Sequence, residues 1–417
     1  MANSLSVYNP EFWASAAQVL HKPKALYRQL ANFRAEAQMK KGDTFHRIRP
    51  NRTEVGDYTR YSDIPASDIS GTEETLVVSK ERAFRFQVDD MDAIQASVDL
   101  QKVYGENAAK DLANVVDSDF LYEAVNAKNS IDAGVVGGGT SGLALDLSGS
   151  NVYEAFANVT KFLSIENVDA SSDCFGVIDP YTAHVIQTQL GARETDLGDE
   201  LSRMGLKGDK YMGRMFKFAG LDLYVSNNYT RKEVLELATN PTNGDTLVLT
   251  IGGNATTITF VSAIGATAGN ILIAGTVDGT RANLEAFLND PGTTSANQVG
   301  LQAESPELAR FQSAISAVND DAADEITIYC KGRSIGVSET LTDATDGFSA
   351  TKRSSVLMLG KKGAVDGVVQ AKPGMLVRPE PRNRAHNVMG TALYEFKTFT
   401  DGSEMLVSLD ALRVAGA

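Results

Sequence analysis

Residues 106–127 read ENAAKDLANVVDSDFLYEAVNA, a run of helix-forming residues with neither proline nor glycine. Leu112, Val115, Val116, Phe120 and Val125 recur at the three-and-four spacing of one helical face. At the usual rise per residue this helix would be roughly 33 Å long. A rod of that length with a single apolar stripe is a beam against which other parts lie. Just upstream, Asp89, Asp90 and Asp92 cluster where carboxylates favour the positive end of a helix. That role is preferred here to catalysis or cation binding.

N-terminal to the beam, Asn9-Pro10-Glu11 reads as a helix start, with Phe12, Trp13, Ala16, Val19 and Leu20 as its apolar face. Phe12 and the single tryptophan, Trp13, are taken as packing anchors. Lys41-Gly42-Asp43-Thr44 turns the chain, and Phe45 to Pro50 alternates in the manner of a strand. Residues 50–72 are polar and rich in turn formers, after which 74–79 and 83–88 return as strand-like segments. The pattern describes a long two-stranded arm with a wide tip. Isolated hairpins are marginal in water, so such an arm is expected to lie on something else. Arg47, Arg49, Arg52 and Arg60 against Asp57, Asp63 and Asp68 fit a mixed-charge contact surface.

Beyond the beam, Gly134 to Gly142 contains a literal GxGxxG, but an alternating segment follows it where a dinucleotide site needs a helix. A flexible glycine loop is the expectation. Residues 151–165 predict a helix with Val152, Phe156, Val159 and Leu163 inward; 174–179 predict a buried strand and 181–190 a helix. His184 on that last helix has no histidine or cysteine at ligand spacing. The residue pattern changes near Lys232. Asp245 to Phe260 reads as two alternating strands around Gly252-Gly253-Asn254, with a helix near 280–288, another over 306–318 and a strand at 325–330. A Ser/Thr-rich tract then leads to about Thr351. Residues 232–352 thus read as a self-contained β-rich module inserted at a surface loop. From Ser354 the pattern returns to that of the segments before Lys232, with strands expected at 374–378, 392–397 and 403–408 and a polar loop at 383–387.

The 417 residues are 43% hydrophobic and 22% charged with net charge −14, and the pI is near 4.9. Such a balance gives no general attraction to nucleic acid or anionic membranes. No signal peptide or membrane-spanning run is expected. Cys174 and Cys330 lie far apart, and the four histidines are scattered outside any catalytic or metal-ligand motif. No enzyme, cofactor or metal is expected.

The ordered set of parts resembles the major capsid (coat) proteins of tailed bacteriophages with the Hong-Kong-97-like fold. The resemblance rests on Asn9 to Trp13 leading into a helix, Lys41 to Thr44, Phe84 to Asp90, Gly220 to Asn228, Leu359 to Ala364, Glu380-Pro381 and Tyr394 to Phe399. It implies an α+β chain with an N-terminal arm (1–42), an extended loop (43–88) and the spine helix of a peripheral domain (89–127). An axial domain (128–215), peripheral strands (216–231), an inserted β-rich domain (232–352) and a C-terminal peripheral part (353–417) would complete it. By the same resemblance Arg47, Arg49, Arg52, Asp57, Arg60 and Asp63 contact a neighbouring subunit, and Phe12 and Trp13 pack the N-terminal arm. Hexamers and pentamers of the chain would close an icosahedral shell around double-stranded DNA without sequence-specific binding. A separate scaffolding protein, a portal and a decoration protein are the implied partners, and the place is the virion, assembled in the host bacterial cytoplasm. The rivals are an encapsulin-like nanocompartment shell of the same fold and a carbohydrate-binding β-rich virion or tail protein; a hydrolase is more distant.

Overall fold

The computed structural model describes residues 25–413 except 37, 40–43, 52, 54, 62, 64–68, 90–99, 148–150, 171, 192–213, 344, 373, 375 and 381–384. A single helical turn at Tyr27–Leu30 is followed by strands β1 (Thr44–Pro50), β2 (Gly71–Val77) and β3 (Lys80–Asp89). The beam is an α-helix over Leu100–Tyr122 that tightens into a 3-10 turn at Glu123–Asn126. It therefore runs through Gly105 and ends sooner than its stripe suggested. Asp89 is the last residue of β3, Asp90 and Asp92 lie outside the described residues, and no acidic residue occupies the helix's first turn. Asp89, within β3, does not make the expected pairing with the helix dipole.

Next come β4 (Asn129–Ile131), the helix Val152–Ile165, β5 (Cys174–Ile178), the helix Pro180–Gly191, β6 (Arg214–Phe218), β7 (Leu221–Val225) and β8 (Thr230–Glu236). The glycine segment between the first two is held rather than loose. Asp132 accepts backbone hydrogen bonds from Gly134, Val135 and Gly142 at 2.6–3.0 Å and one from the Ser141 hydroxyl. Burial pushes this carboxyl up, but those donors outweigh it and hold it below the usual carboxylate range.

The chain continues through β9 (Thr246–Ile251), β10 (Asn254–Val261), β11 (Asn270–Leu272), helices Val277–Asn289 and Pro306–Ala314, then β12 (Ile315–Asp320), β13 (Glu325–Lys331), β14 (Ile335–Glu339) and β15 (Gly347–Phe348). The Gly252-Gly253 hairpin forms as expected, with both glycines at positive φ in the primed turn that suits strand twist. The helix from Pro306 stops at Ala314 because Ile315, Ala317 and the residues between them are drawn into β12 against β13. Strands β14 and β15 occupy what read as a Ser/Thr-rich tract.

Strands β16 (Ser354–Lys361), β17 (Asp366–Ala371), β18 (Leu376–Glu380), β19 (Ala385–Lys397) and β20 (Leu406–Leu412) close the chain. Residues 385–387, expected in a loop, begin β19. One ten-stranded sheet carries the order β12-β13-β8-β16-β5-β7-β6, with β20 also on β16. Alternation on β16 shows two covered faces. Leu357 and Leu359 join the core under helix Val152–Ile165, while Val356 and Met358 join the core under the beam helix. Region 232–352 is not self-contained. It has its own core and its own sheet, β11-β10-β9-β14, but β12 and β13 extend the main sheet through β8. A separate sheet pairs β17, β18 and β3 with β19.

Candidate functional site

Strands β1 and β2 form an antiparallel ribbon in register from Thr44 with Val77 to Pro50 with Gly71. None of the seven residues of β1 is buried. At and beyond the ribbon's end, Ile48, Val55, Tyr58, Tyr61 and Ile69 are exposed, Val55 at 95% and Tyr61 at 102%. An apolar set held this far into water is the kind of surface that interaction sites present.

The base of the ribbon is fixed by its own chain. Arg47 pairs with Asp366 at 3.4 Å and with Asp401, and its guanidinium lies 5.2 Å from the centre of the Phe399 ring. Burial alone would lower the Arg47 pKa, but Asp401, Asp366 and Glu74 outweigh it and raise it. Burial pushes the Asp366 carboxyl up despite Arg47 and Asn32. Arg49 reaches Glu404 at 3.3 Å, and the Thr400 backbone N–H donates to Glu74 at 3.1 Å. Leu76, Val78, Val368 and Phe399 form a small core beneath. Arg47 and Arg49 are thus paired within their own chain, whereas Asp57, Arg60 and Asp63 are exposed near the tip. Arg52, Phe12 and Trp13 lie outside the described residues.

The scaffold that holds this root is braced by three acids on the beam helix. Asp117, fully buried, accepts from the backbone N–H groups of Leu26 (2.6 Å) and Tyr27 (2.9 Å) and from the Asn228 amide (2.9 Å). Among the described residues no cation joins it, and burial pushes its pKa up to about 6 against those donors. Asp119, also fully buried, has Lys331 at 3.2 Å, Arg82 at 3.9 Å and the Tyr394 hydroxyl donating at 2.6 Å. Burial opposes its ionisation, but Lys331, Lys80 and Arg82 prevail and hold it below its usual range. Glu123 accepts from the Thr398 backbone and hydroxyl, each at 3.0 Å. One helix turn and a half therefore ties down the start of the described chain, the tip of β13 and the end of β19.

Sequence reading missed these acids, although a signal existed. Asp117, Asp119 and Glu123 flank Val116 and Phe120, so any helix that buries more than a narrow stripe must bury them too. The exposed apolar tip residues were hidden within a segment read as polar. Cys174 and Cys330 are buried thiols whose pKa values burial raises, Cys330 to about 11. His184 is on the surface. Among the described residues no cluster of His, Cys, Asp and Glu has the geometry to hold a metal, and no helix is long and apolar enough to cross a membrane.

No protein-family model and no curated protein matches the chain. Solved structures do. A chain from Mycobacterium phage Che8 is 14% identical with 96% of each chain covered and a TM-score of 0.56. One from the capsid structure of the cyanophage P-SCSP1u is 10% identical over 99% of this chain and 96% of that one, at 0.53. One from the asymmetric unit of the bacteriophage PhiM1 mature capsid is 9% identical over 97% and 93%, at 0.51. At these identities the likeness is one of fold, and it extends over nearly the whole chain.

Proposed function

We propose that this chain, which shares its fold with chains of phage capsid structures, is a major capsid protein that builds an icosahedral head shell. Hexamers and pentamers of it would enclose double-stranded DNA. The observation that carries the reading is the β1–β2 ribbon, rooted by Arg47 in its own chain and bearing an uncovered apolar tip. A ribbon held by its own chain only along one side, with its tip in water, has a surface left for a neighbour to cover.

On this reading residues 43–88 are the extended loop and the helix within 89–127 is the spine of the peripheral domain. Residues 128–215 form the axial domain, 216–231 and 353–417 complete the peripheral domain, 232–352 are an inserted domain, and 1–42 are the N-terminal arm. Asp57, Arg60 and Asp63 would meet the adjacent subunit along with Val55, Tyr58 and Tyr61. The role is structural, without catalysis. Scaffolding, portal and decoration proteins would act with the chain, in the host bacterial cytoplasm during assembly and in the virion shell afterwards. An acidic container suits the cargo, because a strongly basic inner wall would grip DNA and hinder its exit.

Negative-stain microscopy with sedimentation velocity tests this, on the chain alone and with its neighbouring genes. Closed shells, five- or six-membered rings or tubes are expected. A strictly monomeric protein under both conditions would overturn the reading.

A further inference from the structure

The 32 residues from Thr246 to Val277 contain no Asp, Glu, Lys or Arg, in a chain that is 22% charged overall. The region around them is strongly acidic: residues 237–350 hold thirteen Asp and Glu against four Lys and Arg, a balance of −9. Charge has been moved away from one place, and the fold shows where.

Strands β9 and β10 turn Leu247, Leu249, Ile251, Ile258 and Phe260 inward onto the helices Val277–Asn289 and Pro306–Ala314. By the period of two, Thr246, Val248 and Thr250 on β9 face the other way, as do Ala255, Thr257, Thr259 and Val261 on β10. Gly336 and Ser338 continue that face on β14, paired with Thr250 and Val248. The result is a surface of small, β-branched and uncharged side chains. None of its members is buried. At its edge Asp245 is buried against Thr242 and Thr342, and the Arg333 guanidinium comes near Gly252 in the β9–β10 turn.

We infer that this sheet face docks a second copy of the same chain, the equivalent face of a neighbouring subunit in the shell. The inference rests on the shell reading above. Two chains of net charge −14 repel wherever their acidic surfaces approach, and an uncharged patch is where they can touch without like charges being desolvated. A face of uncharged hydroxyl, amide and aliphatic side chains, with Asn270 and Leu272 of β11 beside Thr259 and Val261, is compatible with its own copy. Its size fixes its role. Four strands about 4.8 Å apart and about 20 Å long give an area of roughly 400 Å² on each partner. That is about half of what a stable independent dimer needs. Such a contact holds only when other interfaces have already brought the copies together and repeats it around the shell.

The test uses the full chain with Thr257→Glu and Thr257→Lys, both at an outward position that tolerates polar residues. Circular dichroism and the thermal midpoint should match the parent. Each variant should still form rings but need about tenfold more protein to close shells, since like charges then face each other. An equal mixture of the two should restore closure to within about twofold of the parent. Closure unchanged in both single variants would overturn the inference. So would weakening by Glu with strengthening by Lys, which would mean that the face meets an acidic surface instead of its own copy. Immobilised-glycan binding lost in Thr257→Glu with closure unaffected would overturn it too, in favour of a carbohydrate ligand. A parent chain that never assembles would defeat the shell reading itself, a result distinguishable from all of these.

Discussion

Replacing Asp119 by Asn tests whether the beam helix is held to the rest of the molecule by charge. The carboxylate is fully buried, and its closest cation, Lys331 at 3.2 Å, has a side chain only 9% exposed. Asn keeps an oxygen for the Tyr394 hydroxyl, which avoids the penalty of an orphaned buried donor. It leaves the Lys331 ammonium without its partner, and breaking a buried pair from one side costs about 3–5 kcal/mol. The lower end applies, because Lys331 also lies 4.3 Å from the Tyr122 ring centre and retains that attraction. Lys331→Met alone should cost less, about 1–3 kcal/mol, since Arg82 still lies 3.9 Å from the carboxylate and Lys80 also favours its charge. The double variant carries neither charge and should be less destabilised than the sum of the single changes by about 1.5 kcal/mol or more. Urea unfolding of unassembled protein at pH 7, followed by far-ultraviolet circular dichroism, provides the cycle. Additivity within about 0.5 kcal/mol would refute the bracing role. The acid limb supplies a second check. Because the folded pKa of Asp119 is depressed, its stabilisation is present above the unfolded value of 3.8 and is lost as pH falls through the lower folded value. Asp119→Asn should remove that share of the acid loss.

Asp117 should behave with the opposite sign. Its folded pKa of about 6 lies above the model-peptide value of 3.8, so the native state binds the extra proton and stability falls by about 3 kcal/mol as pH rises from about 4 to about 6. Asp117→Asn should abolish that slope once Asn228 turns its amide oxygen towards it, and urea midpoints measured across the interval would show the slope persisting if the assignment is wrong. Val55→Ser with Tyr58→Ser should leave the unfolding midpoint within about 0.5 kcal/mol of the parent, as exposed positions do. The same pair should abolish shells in sedimentation velocity; undiminished assembly would exclude the tip as a contact. Gly360→Ala would put a Cβ against the Met405 carbonyl oxygen at a φ of 149°, and should cost about 3 kcal/mol or more or prevent folding. A wild-type thermal midpoint in that variant would show that β16 and β20 are not packed as described.

What could be read from the sequence followed backbone periodicity. The stripe of Leu112, Val116 and Phe120, the alternation of Leu247, Leu249 and Ile251, and the paired glycines at 252 and 253 all landed where their spacing put them. These signals are local, because the period of a helix or strand is set by covalent geometry within a few residues. The wide-tipped arm was legible for the same reason. Its charged residues were not equally so, since Arg47 and Arg49 find their carboxylates at Asp366, Asp401 and Glu404, some 300 residues away.

The sequence by itself therefore determined the elements with a clear local period, such as the beam helix and the β9–β10 hairpin, and left an uncharged stretch from Thr246 to Val277 in plain view. Only the tertiary structure decided that alternate residues of this stretch share one outward face, that β12 and β13 join the main sheet, and that the pKa values of Asp117 and Asp119, two residues apart, shift in opposite directions. The physical reason is the same in each case. A buried carboxylate takes its character from the cations and amides that long-range folding delivers to it, and two aspartates in one helix turn are delivered different ones.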